Sequence, residues 1–152
     1  MGVMNKETYA VDLSGLHAIY ERNYACLIRL LPRMREDGYK RCFAFTAEQR
    51  IKTRLNFSII ENSPYTSYLL LKQDNLLVWL PSPELYIRCY HDAKLAEVVF
   101  AKNTRNFKGV YAYPNKAMHQ PDEKKQLNQF VEEWLGRCLS SGYEVADTAI
   151  KI

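Results

Sequence analysis

Two histidines, three carboxylates and a lysine are the side chains of this sequence whose types could act together: His91 and Asp92 in YHDAK, and Lys116, His119, Asp122 and Glu123 in NKAMHQPDE. Imidazole and carboxylate are ligand types for a divalent metal, and two His with one carboxylate is a recognised facial arrangement. An ion held there could activate water against a phosphorylated small molecule. The spacing is weak support for this, because neither His-x-x-x-His nor His-Glu-x-x-His occurs. The groups meet only if the fold brings them together. Each also has a plain structural role: Asp92 in a turn, the histidines as exposed polar positions, and Asp122 and Glu123 in a first helical turn, where the dipole favours negative charge. The expectation is a ligand-binding surface made by His91, Asp92, Lys116, His119, Asp122 and Glu123, with no metal and no cofactor.

Other chemistries have less to support them. Gly-x-Ser-x-Gly is absent, and Cys26, Cys42, Cys89 and Cys138 are widely spaced in apolar contexts without a Cys-x-x-Cys, which predicts buried free thiols. Eleven tyrosines interleaved with Lys and Arg raise nucleotide or nucleic-acid binding, since rings can stack on bases while cations hold phosphates. Tyr65, Tyr68, Tyr86 and Tyr90 nevertheless fall in strand patterns that packing alone would explain, and no phosphate-cradling glycine loop is present. The net charge of +4 permits an anionic partner without requiring one.

The elements that must position these groups centre on 111–142. Leu127, Phe130, Val131, Trp134, Leu135, Cys138 and Leu139 recur at three-and-four spacing, predicting an amphipathic helix from Pro121 to Ser141 that Gly142 stops. Glu123, four residues before Leu127, then faces the sheet and needs a cationic partner. An earlier helix, capped by Asp12, carries Leu16, Ile19, Tyr20, Leu27, Leu30, Leu31 and Met34 and should end near Leu31, because proline disfavours helical geometry in the residue before it.

Between the helices the period is two. Strands are predicted after Tyr39, over Ile51 to Ile59, over Tyr65 to Leu71 with a turn at Gln73 to Asn75, in the apolar run Leu76 to Leu80, over Leu85 to Tyr90, over Leu95 to Phe100, and over Phe107 to Tyr113. Placing Tyr90 opposite Leu95 sets Leu85, Ile87 and Cys89 against Phe100, Val98 and Ala96 on one face, and Arg88 against Glu97 on the other. The segment after Gly142 has little pattern.

The segments PNKAMHQPDEKKQLNQFVEEWL, LYIRCYHDAKLAEV and ERNYACLIRLLPR resemble the small bacterial YqiB-like family, a domain of unknown function, over roughly Ile19 to Gly142. That resemblance implies a small cytosolic protein with no established activity and supplies no catalytic residues.

The expected architecture is α+β: an antiparallel meander of five to seven strands, with an N-terminal helix and a long C-terminal helix packed on the sheet. It forms a single domain over 1–152, with flexible ends at 1–11 and 143–152. No run approaches the ~20 apolar residues of a membrane-spanning helix, and Met1 to Val11 has no signal-peptide centre, so a cytoplasmic protein is expected. The functional expectation is a binding or regulatory module without catalysis, acting on a protein or a small anionic ligand. The alternatives are a metal-assisted hydrolase and a nucleotide or nucleic-acid binding protein.

Overall fold

Alternating apolar residues need a second layer to bury one face of the sheet, and two helices supply it. The computed structural model describes residues 2–46, 52–75, 82–104 and 121–145. In chain order these form α1 (Gly2–Leu30), β1 (Lys40–Thr46), β2 (Lys52–Asn62), β3 (Thr66–Asn75), β4 (Glu84–Tyr90), β5 (Leu95–Lys102), α2 (Pro121–Ser141) and β6 (Tyr143–Glu144). Among the described residues the sheet has six antiparallel strands in the order β5-β4-β3-β2-β1-β6, the expected meander with one strand returned to its β1 edge.

The helix boundaries follow local chemistry with one correction. α2 begins at Pro121 and ends at Ser141, as its pattern predicts. A Cβ on Gly142 would lie 2.7 Å from the Cys138 carbonyl oxygen, so only glycine fits at this exit. α1 starts well before the expected Asp12 cap. Met4 to Val11 contains no proline or glycine to stop a helix from propagating upstream. At its other end α1 stops at Leu30, ahead of Pro32, and the chain turns through Gly38, whose φ of 82° suits a residue without a Cβ.

Two strand expectations also change. Gln73 to Asn75 is not a turn, because β2 is long enough to keep pairing β3 out to Arg54 with Asp74 and Thr53 with Asn75. The segment after Gly142 does have a place, as β6 pairs Glu144 with Phe43 and Tyr143 with Ala44. The strands expected at Leu76 to Leu80 and Phe107 to Tyr113 lie outside the described residues.

One sheet face carries Phe43, Phe45, Leu55, Phe57, Leu69, Leu71, Leu85 and Ile87, all buried. Against them pack Leu27, Leu30 and Leu31 of α1, and Val131, Trp134, Leu135 and Cys138 of α2. The helix faces are therefore those the spacing predicts. Among the described residues β5 is an edge strand, and an open ladder there would invite pairing with another chain. Asn128 of α2 blocks that position, accepting the Val98 N–H at 3.0 Å on its side-chain oxygen. Asn23 of α1 donates in turn to the Asn128 carbonyl at 3.1 Å, so both helices and the edge strand are pinned at one buried point.

Candidate functional site

The other face of the sheet carries a row of rings. Leu70 pairs with Tyr86 and Tyr86 with Phe100, while Tyr68 pairs with Arg88, so Tyr68, Tyr86 and Phe100 lie diagonally across β3, β4 and β5. The Tyr68 and Tyr86 rings are stacked with centroids 5.9 Å apart, and those of Tyr86 and Phe100 are 5.6 Å apart. The guanidinium of Arg88 sits over the Tyr68 ring, 4.8 Å from its centroid.

The third ring is there because of a bulge. The expected register holds from Tyr90 opposite Leu95 to Ile87 opposite Val98, then shifts by one residue. Phe100, expected opposite Leu85 on the apolar face, is thereby turned onto the opposite face against Tyr86, and Ala101 takes the place opposite Leu85. An extra residue in one strand reverses the facing of everything after it, and bulges are common where a strand must re-aim a side chain. Phe100 is left 52% exposed. The unbroken apolar run Val98 to Ala101, too long for strict alternation, was the signal for it.

Arg88 and Glu97 are cross-strand partners on the same face, as expected, but they do not form the matched charge pair. Among the described residues Glu97 pairs with Lys124 at 2.7 Å, and it accepts the hydroxyls of Tyr90 at 3.1 Å and Tyr20 at 3.4 Å. Both helices thus reach Glu97 around the β5 edge. Burial and the Glu97 carboxylate raise the phenol pKa of both tyrosines. Arg88 is left to the ring.

The pairing places Lys40, Lys52, Arg54, Lys72, Arg88 and Lys102 on this outer face with Glu61, Asp74, Glu84 and Glu97. Asp74 is engaged by the Asn56 amide at 3.0 Å and the Ser82 hydroxyl at 3.1 Å. With Glu97 held by Lys124, cations predominate among the groups left to meet a ligand.

The residues singled out in the sequence are placed as follows. His91 is enclosed at the β4–β5 turn with both ring nitrogens engaged, Nδ1 with the Tyr24 hydroxyl at 3.0 Å and Nε2 with the Ser67 hydroxyl at 2.7 Å. The tautomer follows from proton counting. The Asn62 amide donates to Met34 O and Asp37 Oδ1, which leaves its oxygen to take the Ser67 proton. Nε2 therefore carries the proton and donates to Ser67, while Nδ1 accepts from Tyr24. Burial, with Arg35 nearby, lowers the His91 pKa, and Asp92 opposes this. Ser67 is fully buried with its proton committed, so this serine–histidine contact is structural. Asp92 accepts the Ala93 N–H at 2.9 Å, the turn role expected of it.

Glu123 lies at the start of α2 in a groove of about 350 Å³ with Val98, Phe100, Thr104 and Leu127. Its buried Oε1 has no hydrogen-bond partner, and the ion pair at this end of α2 is made by Lys124. Among the described residues no bond joins His91 or Asp92 to Glu123, and no group of three or more His, Cys, Asp or Glu is placed to hold a metal. Lys116, His119 and the side chain of Asp122 lie outside the described residues. The four cysteines are free thiols, and burial pushes those of Cys89 and Cys138 up to about 12, away from nucleophilic chemistry.

A twisted antiparallel sheet with two helices on one face and a ring-bearing, cation-rich opposite face defines the architecture. The chain belongs to the family described as protein of unknown function (DUF1249), which it matches over residues 26–144. That span runs from the last turn of α1 through β6. The chain is 35% identical over 135 residues to the uncharacterized protein YqiB of Escherichia coli (strain K12), covering 88% of this chain and 93% of that relative. A protein of the same description from Escherichia coli O157:H7 shows the same identity and coverage. The resemblance drawn from Leu85 to Val98 and Pro114 to Leu135 is thus borne out. No solved structure matches the chain. No helix among the described residues is long and apolar enough to cross a membrane.

Proposed function

We propose that this protein is a non-catalytic binding module of the cytoplasm that holds a single-stranded nucleic acid on the outer face of its sheet. The observation that carries this reading is the row Tyr68, Tyr86 and Phe100, made continuous only because a bulge turns Phe100 outward against its expected register. Exposing a large ring costs stability, because burying it would be worth about 1.5 to 3 kcal/mol. Stacking on bases recovers that apolar contact, and each base–aromatic stack is worth about 1 to 3 kcal/mol. Arg88 over Tyr68 adds a cation at the end of the row, and Lys72, Arg54 and Lys102 flank it on the same face. A duplex hides the faces of its bases, so a single strand fits this surface. Four free thiols agree with a reducing compartment.

Fluorescence anisotropy with labelled single-stranded RNA, single-stranded DNA and the matching duplex tests the reading. Single strands should bind with a log affinity that falls as log salt rises, and the duplex should bind more weakly. Tyr86→Ala should weaken binding of the single strand by roughly 5- to 100-fold, while Tyr86→Phe retains it. Equal binding by Tyr86→Ala and the parent protein would remove the face from the reaction.

A further inference from the structure

Beside the aromatic row, the outer face holds a cavity of about 530 Å³ between β1, β2 and β3, with Lys40, Asn56, Ser58 and Lys72 on its walls. Its other charged groups are already satisfied. Arg41 and Glu144 form a two-bond pair at 2.7 and 2.9 Å, and Asp74 accepts from Asn56 and Ser82. The two lysines are not. Among the described residues neither Lys40 nor Lys72 makes an ion pair or a side-chain hydrogen bond, nor does the Ser58 hydroxyl. Glu84, the cross-strand partner of Lys72, is not within ion-pair distance of it. Three donor groups therefore line one concave site with no acceptor assigned to them.

We propose that this cavity is a subsite for a phosphate monoester, so that the sheet face takes the end of a nucleic-acid strand. The inference rests on the nucleic-acid reading above and adds which part of the strand is recognised. A phosphate monoester carries a charge of about −1.5 to −2 near neutral pH and three strong acceptor oxygens, which matches two ammonium groups and a hydroxyl. An internal phosphodiester has one charge and two free oxygens, so it leaves one of these donors unmatched. The position fits a single nucleotide. Ser58 pairs with Leu70 and Leu70 with Tyr86, which sets the cavity two strands from the central ring, roughly 10 Å at the usual strand spacing. One nucleotide can place its base on Tyr86 and its phosphate in the cavity.

The test compares one single-stranded RNA sequence in three forms, with a 5′ phosphate, with a 3′ phosphate and with hydroxyls at both ends, bound to the full chain. One phosphorylated form should bind roughly tenfold tighter than the hydroxyl form, the worth of about one charge-assisted hydrogen bond. The double variant Lys40→Gln, Lys72→Gln should bind all three forms alike, with an affinity somewhat below that of the parent for the hydroxyl form because Lys72 also flanks the row. Circular dichroism should confirm that it is folded. Inorganic phosphate and a nucleoside monophosphate, added as competitors, distinguish a site for the phosphate alone from one that needs the attached base. Equal binding of all three RNA forms would overturn the subsite while leaving the sheet face intact as a binding surface. Binding of none of them would remove the nucleic-acid reading and the subsite together.

Discussion

The side-chain oxygen of Asn128 accepts the backbone N–H of Val98 at 3.0 Å, so a single buried residue of α2 closes the exposed ladder of the edge strand β5. The same side chain donates to Lys124 O at 2.8 Å, which fixes its orientation. Asn128→Ala leaves the Val98 donor without its partner and should cost about 1 to 3 kcal/mol in denaturant unfolding. The uncovered edge should also raise self-association in sedimentation. A loss under about 0.5 kcal/mol with no change in association would show that the contact contributes little.

Trp134 is 7% exposed in the middle of the buried face of α2, with the Phe130 ring 4.7 Å away. Trp134→Ala should cost about 3 to 5 kcal/mol, enough to unfold much of a domain of ordinary stability. Thermal and chemical denaturation measure it. A cost below about 1 kcal/mol would mean the neighbouring side chains refill the space.

The helix and strand patterns made most of this fold legible, because both arise from one-sided burial. Val131, Leu135 and Cys138 face the sheet as their spacing requires, and the pairing of Tyr90 with Leu95 followed from matching apolar positions. The bulge before Phe100 was hidden, since an extra residue is stabilised by partners on another strand and leaves only a disturbed alternation behind. A register pairs Glu97 only with its strand neighbour Arg88. Two of the actual partners of Glu97, Lys124 and Tyr20, lie on the helices, far away in sequence. His91 stood out as a reactive type, but its role depends on Tyr24 and Ser67, which no spacing connects to it.

The enclosure of His91 has a pH consequence. Its pKa is lowered in the folded protein, mainly by burial, so the unfolded chain takes up a proton at a higher pH than the folded one does. The contribution is fully present above the unfolded value of about 6.5 and is lost as pH falls below it toward the folded pKa. Unfolding free energy should therefore decline on acidification through this window. His91→Gln should flatten that part of the profile, and an unchanged slope would assign the decline to other groups.

Glu97 links β5 to Lys124, Tyr90 and Tyr20, and its negative charge helps keep both phenols protonated. In Glu97→Gln the phenol pKa of Tyr20 and Tyr90 should move down toward the ordinary tyrosine range, read from the ultraviolet absorbance of ionised tyrosine against pH. Removing Lys124 should change stability by under about 1 kcal/mol, because its side chain is 44% exposed and water screens the pair. Titration curves that coincide for the parent and Glu97→Gln would show that burial alone raises these groups.

Phe100 separates stability from binding more cleanly than any other residue of the row. It is 52% exposed on β5, so Phe100→Ala empties no core space and should lower stability by less than about 1 kcal/mol. If the row stacks bases, the same change should weaken single-strand binding by roughly 5-fold or more. Phe100→Tyr should keep the affinity, since it preserves the ring. Leu135→Ala provides the opposite control: it is fully buried, and should lower stability by about 2 to 5 kcal/mol while leaving the affinity of the folded fraction unchanged. Measuring both quantities for both variants decides the matter. A Phe100→Ala protein that binds as tightly as the parent but unfolds far more readily would place Phe100 among the structural residues, and the stacking surface would then end at Tyr86.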